Sequence, residues 1–173
     1  LAEISDWQKG YVVWAFRFWL WIMDKGIKIT EYDTLDYNGW ANDGLEGLKK
    51  SVSEKEFNYY LENSKDLEFY SSHIKKVLDH PNFTLVRERP TFEFLESAVT
   101  TDSKVCEVVL DSRTLRDREG FSLHRVVVLD INKAEVIFHD PAFEANTKVT
   151  KEKFIKSWLE AVSEPELCIY ERQ

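Results

Sequence analysis

Gly120-Phe121-Ser122-Leu123-His124-Arg125-Val126-Val127-Val128, a turn near Asn132, and then Glu135-Val136-Ile137-Phe138-His139-Asp140-Pro141 form the stretch that decides how this chain is read. Short runs rich in valine and isoleucine suit two neighbouring strands. A histidine opens the first strand and an Asp-Pro closes the second. Such a histidine can act as a general base, while a carboxylate holds its tautomer and stabilises the imidazolium. Strand geometry sets a condition on the pair, because successive side chains point to opposite faces. A tight turn at Asn132-Lys133 would place Asp140 on the face of Arg125, opposite to His124. A loop of about three residues, Asn132 to Ala134, would place Asp140 across from Val126 and diagonal to His124, within hydrogen-bond reach. The functional pairing therefore predicts the longer loop, with His139 facing away.

Upstream, Tyr11 to Met23 is apolar around nearly the whole helical circumference, which predicts a buried helix, with Gly26 as its C-cap. Ile27 to Ile29 reads as extended, and Tyr32 to Gly39 as loop. Ser53-Glu54-Lys55-Glu56 is a capping box that opens a helix carrying Phe57, Tyr60 and Leu61 on one face. A second amphipathic helix bears Leu67, Tyr70, Ile74, Val77 and Leu78 and ends near His80-Pro81. Phe83 to Val86 reads as a short strand, and Thr91 caps a helix with Phe92, Leu95 and Val99 on one side. Strands then dominate: Val105 to Leu110, His124 to Ile131, Glu135 to His139 and Leu167 to Tyr170, with one helix at Lys151 to Ala161. Helices first and strands later is an α+β order. No repeat or linker interrupts it, so residues 1–173 read as one domain.

The 173 residues are 43% hydrophobic and 14% aromatic, enough for one sizeable core. A net charge of −8 argues against a phosphate-tracking surface, and hence against nucleic acid as a partner. The most apolar segment falls short of the roughly 20 residues needed to cross a bilayer. Leu1 is not an initiator methionine, which reads as a processed or cut form of a soluble chain, compatible with export. Cys106 and Cys168 both sit in apolar strand-like runs and read as buried small hydrophobes; a disulfide between them is left open. The four histidines, at 73, 80, 124 and 139, show no zinc spacing. Arg113, Arg116, Asp117, Arg118 and Glu119 read as a solvated connection before His124, which the functional reading would set at the rim of the cleft.

The order of these pieces resembles the C39-like peptidase family, which has the papain-like cysteine peptidase fold. The likeness covers most of the chain and is carried by Gly120 ahead of the histidine, His124-x-Val-Val-Val, His139-Asp140-Pro141, and a following helix of the form Phe154-Ile155-Lys156-Ser157-Trp158. The helix and strand at 91–110 occupy the family's usual place before the histidine. The resemblance implies a helical first half, its N-terminal helix buried against an antiparallel sheet from the second half. It also implies no metal and no organic cofactor.

In that family a cysteine at the start of the buried helix is the nucleophile, since helix amides and a nearby histidine favour the thiolate. Here the region reads Ser5-Asp6-Trp7-Gln8-Lys9-Gly10-Tyr11-Val12-Val13-Trp14-Ala15-Phe16-Arg17. One register puts Lys9 at the nucleophile position and another puts Tyr11 there. From Asp6 to Met23 there is no Cys, Ser or Thr, so neither register supplies a conventional nucleophile. Gln8 stands in for the family's oxyanion glutamine, and Lys9, Tyr11 and Trp14 surround the missing group. Three expectations stay open: a non-catalytic domain with His124 and Asp140 as a remnant dyad, binding a peptide or protein segment; an active hydrolase or acyltransferase with an unconventional nucleophile; and an accessory domain that makes no use of the cleft. Oligomeric state and compartment are not legible.

Overall fold

The computed structural model describes residues 11–172. Among them, the elements follow the order α1 (Phe16–Met23), β1 (Ile27–Tyr32), α2 (Tyr37–Asp43), α3 (Leu45–Ser51), α4 (Glu54–Asn63), α5 (Leu67–Leu78), β2 (Phe83–Val86), α6 (Phe92–Val99), β3 (Lys104–Asp111), α7 (Ser112–Leu115), β4 (Leu123–Ile131), β5 (Glu135–His139), β6 (Thr147–Thr150), α8 (Lys151–Ile155, widening into a π turn over Lys156–Glu160) and β7 (Leu167–Arg172). The strands make one seven-stranded sheet in the order β2-β1-β7-β3-β4-β5-β6.

Alternation along the central strands assigns two cores to the two faces of this sheet. Cys106 of β3 pairs with Ile169 of β7, and Val108 with Leu167, and these four side chains join Leu110, Val126, Val128 and Phe138 beneath α6 and α8. Phe154 and Trp158 of the last helical segment are completely buried on that side. On the other face Ile29 and Cys168 pack with Phe16, Trp19, Trp40, Leu48 and Ile74, which come from α1, α2, α3 and α5. Each fully buried side chain of this size stabilises the fold by roughly 1.5–3 kcal/mol.

This mixed α/β arrangement departs from the sequence reading in several places. The sheet is not built from the second half alone, because β1 and β2 extend it, paired in parallel from Ile29↔Phe83 to Tyr32↔Val86. The first helix begins at Phe16 rather than Tyr11. It buries Phe16, Trp19, Ile22 and Met23 on one side, while Trp21 is exposed, so the all-round apolar pattern overstated its burial. Val12 to Trp14 instead run as irregular backbone along α4, tied by the Val12 amide to the Asn63 carbonyl at 2.7 Å.

The stretch read as loop after Tyr32 holds α2, with Tyr37 and Trp40 buried, and α3 follows it. These two helices meet backbone to backbone: a Cβ added at Gly47 would lie 2.0 Å from the Gly39 carbonyl oxygen. Leu61 is exposed, so the apolar face of α4 is narrower than expected. β6 and α7 were also not anticipated. The capping box at Ser53 is present, with both reciprocal bonds formed, and β2 and β5 have the expected bounds.

Cys106 and Cys168 are free and buried. The register explains why they do not meet. Cys168 pairs with Glu107, one residue from Cys106, so the two thiols point to opposite faces of the sheet. Among the described residues no helix is long and apolar enough to cross a membrane.

Candidate functional site

His124 and Asp140 stand at the ends of adjacent strands, and the structure brings them together: His124 Nε2 lies 2.6 Å from Asp140 Oδ1. The route differs from the expected loop of about three residues. The turn has two residues, Lys133 and Ala134, closed by the Asn132 amide donating to the Glu135 carbonyl at 3.0 Å. Asn132 Oδ1 accepts from the Ala134 and Glu135 amides, both at 2.9 Å, and this fixes the turn one position later than a tight Asn132-Lys133 hairpin. Unbroken pairing from that turn would set Asp140 opposite Val127, on the wrong face. A bulge intervenes at Leu129, where Asp130 pairs with Ile137 but Val128 pairs with Phe138. The extra residue shifts the register by one, so that Asp140 continues opposite Val126. The expected face is reached by a different device.

Asp140 is almost fully buried, at 1% exposure, and both of its oxygens have partners. Besides His124, Oδ1 accepts from the Ala142 amide at 3.0 Å, and Oδ2 accepts from an Arg116 guanidinium nitrogen at 2.5 Å. Burial alone would raise its pKa, but the bonds from His124 and Ala142 and the charges of His124 and Arg116 outweigh it and hold the carboxyl below the usual range. The Arg116 guanidinium carbon also lies over the Phe143 ring, 3.7 Å from its centroid, and Phe143 stands edge-on to the imidazole at 6.4 Å. Guanidinium, carboxylate and imidazole thus form a chain, with Phe143 leaning on both ends.

Arg116 corrects the sequence reading, which left it in a solvated connection. The loop that carries it is held by Asp111, itself 1% exposed. Asp111 accepts from the Arg113 amide at 3.1 Å, from the Thr114 hydroxyl at 2.7 Å and from the Ser122 amide at 2.9 Å, clamping both ends of the 112–122 loop. The Asp111-Ser112-Arg113-Thr114 string carried a signal for this, since an aspartate before a short polar run is a helix N-cap. Nothing local to Arg116 pointed to Asp140.

The imidazole borders a cleft of about 740 Å³. Its opposite wall is the segment 11–15 with α4, including Tyr11, Trp14, Tyr59 and Tyr60. Trp14 packs edge-on to Trp40 at 4.6 Å and against Tyr60 at 4.8 Å, and its indole N–H donates to the Ser64 hydroxyl at 3.1 Å. Tyr59 reaches over to donate to the Leu123 carbonyl at 3.4 Å, beside His124. The structure therefore brings Tyr11 and Trp14 to the same cleft as His124. Gln8 and Lys9 lie outside the described residues. His139 is exposed on the other face of β5.

Neither cysteine substitutes for a nucleophile in the cleft. Burial pushes the Cys106 thiol up to about 11 and raises Cys168 well above its ordinary value, so both stay protonated at neutral pH. The floor of the cleft is polar: Arg125 pairs with Glu107 at 2.5 Å and with Glu166.

These features define a mixed α/β protein with a partly buried histidine–aspartate–arginine chain on an open cleft. No family model matches the chain, and no curated protein matches it. Among solved structures, a provisionally assigned C39-like peptidase from Bacillus anthracis is similar, with 20% sequence identity and a TM-score of 0.38, over 48% of this chain and 48% of that one. The matched part spans about half of either chain.

Proposed function

We propose that the chain is one C39-like, papain-fold domain whose cleft holds a peptide or protein segment without cleaving it. The carrying observation is the His124–Asp140 contact of 2.6 Å at a cleft whose facing segment, from Tyr11 to Ala15, presents no thiol and no aliphatic hydroxyl. In this reading His124 and Asp140 are a remnant dyad, Gln8 marks the old oxyanion position, and Lys9, Tyr11 and Trp14 contact the ligand. Aromatic side chains suit such a role, because they offer large contact area at small entropic cost. A displayed library of extended peptides, followed by calorimetry of the selected sequences, tests it. Selected peptides are expected to bind, and His124→Ala and Tyr11→Ala to weaken them without change in the far-ultraviolet circular dichroism. A library that yields no binder, or binders indifferent to both changes, sinks the reading.

A second reading rests on the intact orientation of the imidazole. Asp140 is positioned to hold a catalytic base, as a hydrolase or acyltransferase with an unconventional nucleophile requires. Turnover of activated esters or peptide substrates that His124→Ala abolishes would replace the first reading with this one.

A further inference from the structure

Three carboxylates that lie far apart in sequence meet on the α1 side of the sheet. Glu31 sits in β1, Asp33 just after it and Glu166 just before β7. The antiparallel pairing Tyr32↔Leu167 carries Asp33 opposite Glu166, with Glu31 two residues along on the same face. One carboxylate oxygen from each lies within 4.8 Å of the others. Ligand oxygens about 2.4 Å from a central ion span that distance.

A second observation concerns Glu31 alone. It is 0% exposed, and neither of its oxygens has a partner at full hydrogen-bond geometry, the Cys168 thiol and the Glu166 carboxyl making only weaker polar contact with it. Burial, and then the charge of Glu166, raise its pKa well above the ordinary glutamate value, so the group stays protonated unless a positive group meets it. Asp33, by contrast, is oriented: Oδ1 accepts from the Leu35 amide and Oδ2 from the Tyr37 hydroxyl, each at 2.9 Å. Lone pairs on both oxygens remain available. A cavity of about 20 Å³, room for one water, adjoins the cluster and is bounded by Asp33, Tyr37, Arg125 and Glu166, with Glu31 outside its lining. Burial and the neighbouring acids raise Asp33 to about 7 and lift Glu31 and Glu166 above their ordinary values, with the Arg125 guanidinium as a counter-charge to the two glutamates.

We propose that Glu31, Asp33 and Glu166 bind one hard divalent cation of the calcium, magnesium or manganese class. The all-oxygen donor set selects this class over zinc or copper, which favour nitrogen and sulfur. The cation takes one oxygen from each acid, displaces the protons that burial otherwise keeps on them and ties β1 to β7 beneath the cleft. Its role is structural, so it stands or falls independently of what the cleft binds.

Chelator-treated full-length chain, titrated separately with Ca²⁺, Mg²⁺ and Mn²⁺, is followed by calorimetry, thermal midpoint and native mass spectrometry. One ion per chain is expected, with the thermal midpoint raised by a few degrees at saturation. Glu31→Gln is expected to weaken binding at least about tenfold, because ligand charge sets affinity in such sites. Terbium luminescence sensitised by Trp14 and Trp19, which border the cavity, reports the location and is expected to be lost in the same variant. Should Glu31→Gln fail to fold, Asp33→Asn takes its place. No binding of any of the three ions at millimolar concentration overturns the proposal, as does binding unchanged by both substitutions.

Discussion

Asp140 lies 2.6 Å from His124 because β4 carries a bulge at Leu129 that turns the aspartate to the histidine's face. The turn alone would have left the two side chains on opposite sides of the sheet. A surface irregularity several residues away thus decides whether the site exists, which is a recurrent use of bulges.

Removing the charge of Asp140 tests the electrostatics of the chain. Its folded pKa is depressed, so it contributes stability above its unfolded value of about 3.9, and that contribution is lost as pH falls through the folded value. Urea midpoints measured from neutral to acid pH should therefore decline more steeply for the native chain than for Asp140→Asn. At neutral pH that variant should be less stable by about 1–3 kcal/mol, the range for losing hydrogen bonds to a charged group. Parallel acid limbs for the two proteins would contradict the assignment.

Arg116→Ala should destabilise by about 2–3 kcal/mol, since it leaves a buried carboxylate short of its cationic partner. Arg116→Lys should recover only part of this. An ammonium restores charge but cannot both reach Asp140 and cover the Phe143 ring as the guanidinium does. Chemical denaturation of the three proteins orders them. Equal stability of the lysine variant and the native chain would show that the planar contact is worthless.

Gly47→Ala should cost about 1–3 kcal/mol, the usual penalty of overpacking. The new methyl group meets the Gly39 backbone at 2.0 Å, and a backbone carbonyl cannot swing aside as a side chain can. A melting temperature equal to that of the native chain would mean that α2 and α3 separate freely. The matching change at Gly26, where nothing lies within 4 Å but φ is +85°, probes backbone strain instead of packing.

Ser53→Ala should cost about 1 kcal/mol, as for other N-cap losses. Glu56→Ala should cost more, about 2–3 kcal/mol, because Glu56 does more than complete the box. It is 2% exposed and also accepts from the Ser163 amide at 2.7 Å and from the Ser163 hydroxyl, joining α4 to the segment before β7. Urea unfolding of both variants gives the comparison, and equal losses would confine Glu56 to helix capping.

Local order determined what the sequence could reveal. The capping box, β2, β5 and the Thr91 N-cap depend on neighbours within a few residues, and their patterns read correctly. His124 and Asp140 were legible as a pair because strand alternation confines them to one of two faces. The start of α1 was misread: apolar residues from Tyr11 to Ala15 suit a cleft wall as well as a helix, and composition does not distinguish the two. Nor did any local pattern announce the parallel pairing of β1 with β2, the contact between Gly47 and Gly39, or the reach of Arg116 to Asp140. The same holds for Glu31, Asp33 and Glu166, which read as ordinary acids along the chain. Only the sheet, by laying β1 beside β7, buries them together, because register is a property of two strands and never of one.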